Sequence, residues 1–200
     1  MIINKNTPIA ITMGEPAGIG PEIILKTWLK KNDKKHTFFV IGNYNLFINW
    51  KKILNLDVPI KKISCPSQTN RTYADALPVF DIPFNSQLTP GLPSKKNTEQ
   101  ILESIKIGVK YINEKKCSSI ITCPVQKNLL YEYSFPYPGL TEFLGSIVNQ
   151  KNNPVMMLHS EKIKIILITT HIPLKEVSNN LNLNLIYDKV RTASKYLRKY

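Results

Sequence analysis

Apolar positions along this chain fall into two periods that alternate. "PIAITMG" (8–14) is a continuous apolar, β-branched run of strand length. "GPEIILKTWLKK" (20–31) then spaces its apolar residues at helical intervals, with Pro21 where a first helical turn tolerates it. The pattern repeats: "HTFFVIGN" (36–43) reads as a buried strand and "YNLFINWKKIL" (44–54) as a helix. "PIKKISC" (59–65) and "LPVFDI" (77–82) read as strands, the second at an edge because it carries Pro78. "NTEQILESIKIGVKYINEKK" (97–116) is the clearest amphipathic helix, with Ile101, Ile105, Val109 and Ile112 on one stripe. "SSIITCPV" (118–125) reads as another buried strand, and "NPVMMLHS" with "KIKIILITTH" as two strands turning at Glu161. "LKEVSNNL" and "LIYDKVRTASKYLRKY" close the chain as helices. Strands alternating with helices predict an α/β fold whose sheet is flanked by helices on both faces. The late hairpin predicts a mixed rather than purely parallel sheet.

Composition narrows the partners. Two hundred residues suffice for one ordinary domain or part of a larger one. No apolar run approaches the roughly 20 residues of a membrane helix. The opening "MIINKNTPIAITMG" lacks an apolar stretch followed by a small-residue cleavage site, so the expected location is the cytoplasm. Cys65, Cys117 and Cys123 are scattered and odd in number, which fits free thiols better than a disulfide framework or a metal–thiolate site. The formal net charge is +13, yet only Arg71, Arg191 and Arg198 are arginine. The lysines are dispersed in short groups with no arginine–aromatic patch, as on a generally basic, solvated surface. A nucleic-acid-binding protein is thus the weaker reading, and salt-dependent retention on DNA would mark it.

In open α/β sheets, ligands bind outside the carboxyl ends of strands. The first such end is "TMGEPAGIGPE" (12–22), whose glycines permit a tight turn and close backbone approach. Its spacing matches neither nucleotide-binding glycine motif, and a structural turn is the plainer reading. At "TCPVQKN" (122–128), Lys127 could meet an anion or simply be solvated. At "TTHIPLKEV" (169–177), His171 ends an apolar strand, where an imidazole is either a hydrogen-bonded structural group or a metal ligand. "PYPGLTEFLG" (136–145) reads as a loop entering a helix near Thr141 and Glu142, with the bulky Leu140 oddly placed between a glycine and a threonine.

"ITMGEPAGIGPEIILK", "TCPVQK", "PYPGLTEFL" and "TTHIPLKEV", in this order and spacing, resemble the 4-hydroxythreonine-4-phosphate dehydrogenase (PdxA) family of vitamin B6 synthesis. The resemblance runs from about Pro8 to the last residue. It implies NAD-dependent oxidation of 4-phosphooxy-L-threonine followed by decarboxylation, a step toward pyridoxal 5'-phosphate. It also implies a divalent metal (zinc, magnesium or cobalt), a homodimer, and a fold like that of isocitrate and isopropylmalate dehydrogenases. That fold accounts for NAD without the usual glycine fingerprint. The family's Pro-Gly-His-Thr-Glu-Phe holds substrate through the His and Thr. Here Leu140 takes the His position, while Thr141 matches and is the expected substrate contact. His171 matches the family's first metal-binding histidine. Catalytic and cofactor-binding residues are not assigned by these motifs.

By the same resemblance, residues 1–200 form the N-terminal portion of a two-domain dehydrogenase, with an internal boundary near 120–130. The family's further metal histidines and substrate contacts lie beyond position 200. The 200-residue chain is therefore expected to lack activity alone and to be poorly ordered after about Leu181. It is either a fragment of a longer product or a non-catalytic remnant. A sister dehydrogenase of phosphorylated four-carbon sugar acids is the nearest enzymatic alternative.

Overall fold

The structure, a computed structural model, describes residues 7–31, 36–83, 88–148 and 154–198. The chain divides into two compact units, Ile2–Phe135 and Pro136–Tyr200.

The first unit alternates strands and helices: β1 (Ile9–Thr12), α1 (Gly20–Leu29), β2 (Phe38–Gly42), α2 (Tyr44–Ile53), β3 (Ile60–Ile63), α3 (Thr69–Tyr73), β4 (Leu77–Asp81), α4 (Thr98–Asn113), β5 (Ser119–Thr122) and α5 (Lys127–Glu132). The five strands form one sheet in the order β3-β4-β2-β1-β5, parallel at every pairing. The middle strand β2, "FFVIG", is buried throughout, because parallel sheets covered on both faces need continuous apolar strands. Successive residues of β2 point to opposite faces. Phe38 meets Tyr73 of α3 edge-on at 5.0 Å, while Phe39 meets Tyr111 of α4 at 6.2 Å, so α3 and α4 cover opposite faces. Ile101, Ile105 and Val109 of α4 are buried, as the stripe requires.

Three sequence expectations change here. Pro78 does not put its strand at an edge, since β4 lies between β3 and β2. Pairing of β4 with β2 begins only at Val79, so the missing N–H of Pro78 falls outside that ladder. The strand at 118–125 is not buried: β5 is an edge, and Ile121 is 48% exposed. Finally, the late hairpin does not join the large sheet, which is wholly parallel rather than mixed.

The second unit contains α6 (Leu140–Ile147), the antiparallel pair β6 (Met157–His159) and β7 (Lys164–Ile166), α7 (Val177–Asn180) and α8 (Leu183–Leu197). The hairpin turns at Glu161 as anticipated, closed by a bond from Ser160 N–H to the Ile163 carbonyl at 2.8 Å. Each strand is three residues long and largely exposed. Asn182 caps α8 by accepting from the Leu185 N–H at 2.9 Å. The apolar stripe of α8, including Leu183, Tyr187 and Val190, faces outward. No helix among the described residues is long and apolar enough to cross a membrane.

Candidate functional site

Within the first unit, two of the strand ends singled out from sequence meet. The Glu15 N–H donates to the Pro124 carbonyl at 2.9 Å, which ties the turn after β1 to the segment after β5. Gly14 adopts φ +67, and a Cβ there would lie 2.6 Å from the Pro124 oxygen. Gly20 is equally confined: its Cβ would meet the Met13 oxygen at 2.6 Å. These contacts account for both glycines as close-packing positions. The turn is held further by the Trp50 indole N–H, which donates to the Pro16 carbonyl at 2.8 Å, and by Gly91 N–H on the Ala17 carbonyl at 2.8 Å.

Glu15 is buried inside this turn and accepts from the Ala17 N–H at 3.2 Å. Burial raises its pKa, and the bonds from Ala17 and the Asn97 side chain pull it partly back. Lys127 opens α5 and is exposed, in keeping with a solvated lysine.

The cysteines differ in chemistry. Burial pushes the Cys117 and Cys123 thiols up to about 11. Cys65 has its pKa lowered, chiefly by the Ser67 hydroxyl 3.1 Å away. Because the thiolate is the nucleophile, iodoacetamide at neutral pH should modify Cys65 first. The other two should react more than about a hundredfold more slowly until denaturant is added. Peptide mapping after timed alkylation checks this, and early labelling of Cys123 would contradict it.

Within the second unit, the structure brings His171 to the start of α6. Gly139 is the residue before that helix, Leu140 and Thr141 open it, and Glu142 follows. All three side chains are half-buried. A Cβ added at Gly139 would lie 3.1 Å from Glu142 Oε2 and 3.2 Å from His171 Nε2. The Leu140, Thr141 and Glu142 amides belong to the first turn, where N–H groups lack intrahelical acceptors and favour an anion. His171 is not at a strand end, because β7 stops at Ile166. It stands in an irregular segment at φ +60, a left-handed conformation uncommon for residues other than glycine. Such outliers persist where the surroundings impose them, often at functional sites.

Beside these residues lies a cavity of about 340 Å³ lined by Glu142, Thr169, Thr170, Asn180 and Lys189, among others. Lys189 Nζ donates to the Pro154 carbonyl at 2.8 Å, and Asn180 Nδ2 to the Glu176 carbonyl at 2.8 Å. The cavity wall is mixed, with Pro154, Ile168, Ile172 and Leu185 beside the polar groups, and two of those polar groups are already hydrogen-bonded. Sequence reasoning passed over Glu142, Asn180 and Lys189. The signal for Glu142 was local: an acid three residues after Gly139 and next to Thr141, at a helix start.

Residues 34–200 match the family described as pyridoxal phosphate biosynthetic protein PdxA. A 4-hydroxythreonine-4-phosphate dehydrogenase from Zymomonas mobilis is 34% identical over 194 residues, covering 96% of this chain and 56% of the relative. One from Caulobacter vibrioides is 34% identical over 197 residues, covering 96% of this chain and 58% of the relative. The crystal structure of the enzyme of that name from Klebsiella pneumoniae superposes with a TM-score of 0.85 at 28% identity, over 96% of this chain and 58% of that one. The chain thus spans less than two thirds of the length of these relatives.

Proposed function

Because the chain belongs to the PdxA family, we propose that it is the N-terminal portion of a 4-hydroxythreonine-4-phosphate dehydrogenase, working with NAD and a divalent metal as a homodimer in the cytoplasm. The observation that carries this reading is the 34% identity to dehydrogenases of that name across 96% of the chain. The family's members are oxidoreductases of pyridoxal phosphate biosynthesis by name.

On this reading His171 would hold the metal, with Nε2 turned toward Gly139. An imidazole nitrogen is a suitable donor for zinc or cobalt. When bound, the metal supplies Lewis-acid polarisation of a substrate oxygen, and NAD supplies the hydride acceptor. Thr141 offers a hydroxyl and a first-turn amide to the substrate's charged end. Leu140 offers no hydrogen bond where the family has an imidazole. Loss of one bond to a charged group costs about 1.5–3 kcal/mol. The apolar stripe of α8 and the exposed hairpin supply surface that a second copy could cover.

The test is NADH formation from 4-phosphooxy-L-threonine by a chimera in which this chain continues into the unmatched part of the Zymomonas mobilis relative. Metal-dependent NADH formation is expected, and none with zinc, magnesium or cobalt would overturn the reading. In the same chimera, Leu140→His should lower KM about tenfold with a smaller change in kcat, since the new bond forms in both ground and transition states. An unchanged KM would remove Leu140 and Thr141 as substrate contacts.

A further inference from the structure

We draw no further inference here: the strongest candidate, the cavity of about 430 Å³ in the first unit lined by Ile9, Ile11, Phe38 and Ile121 together with Lys30 and His36, carries nothing, because nothing in the structure shows what covers it.

Discussion

Gly14→Ala should destabilise the chain by more than about 3 kcal/mol, the sum of two separate penalties. The first is conformational: at φ +67 an L-residue meets its own carbonyl, at a cost of about 1–2 kcal/mol. The second is steric, because the new methyl would sit 2.6 Å from the Pro124 oxygen and 2.7 Å from the Cys123 Cβ. Neither neighbour is the loose end of a flexible side chain. The backbone of β5's exit must move, and the Glu15 bond to Pro124 moves with it. Two other glycines separate the penalties. Gly91 has φ +79 with nothing within 4 Å of its Cβ position, so Gly91→Ala carries the first alone. Gly20 has the 2.6 Å clash with the Met13 oxygen without a left-handed backbone, so Gly20→Ala carries the second. Urea unfolding of the three variants measures each. A Gly14→Ala loss no larger than that of Gly91→Ala would show that the turn yields to the methyl group.

Phe39→Ala should cost about 3–5 kcal/mol. Phe39 is fully buried on the middle strand of the sheet, with its ring against Tyr111 of α4. Ile41, two residues on and on the same face of β2, is also fully buried, so the site has little freedom to collapse around the hole. Phe39→Leu, which leaves a smaller void, should cost less than half as much. The denaturant midpoint should fall while the slope stays the same. A loss below about 1 kcal/mol for Phe39→Ala would mean that β2 does not sit in one cooperative core.

Much of the first unit could be read from sequence because parallel strands covered on both faces are written as continuous apolar runs. The long helices were legible for the complementary reason: α4 has enough turns for its stripe to repeat. Where the reading slipped, the missing information was non-local. "SIIT" of β5 looks like a core strand, but burial depends on how many neighbours a strand has, and β5 has one. Pro78 suggested an edge, but whether its absent N–H matters depends on where pairing with β2 starts. The five residues of α3 and six of α5 are too short to show a helical period. At the candidate site, Thr141 and His171 could be singled out individually. Their neighbourhood could not, because the link between Gly139, Glu142 and His171 is made by a fold-level approach and a left-handed backbone that no local pattern encodes.

The pairing of β1 with β5 has a kinetic consequence. Ser118 and Pro8 are hydrogen-bonded although 110 positions apart, whereas β1 meets β2 across roughly a quarter of that span. Each doubling of a closed loop adds about 0.6 kcal/mol of chain entropy, so the β1–β5 closure is about 1 kcal/mol costlier to nucleate than β1–β2. A chain emerging from synthesis can pair β1 with β2 long before β5 exists. The glycine turn after β1 then waits with one wall missing, since Cys123 and Pro124 arrive only with β5. Its final shape is thus a late event in folding, reached only when the first and last strands of the sheet have found each other.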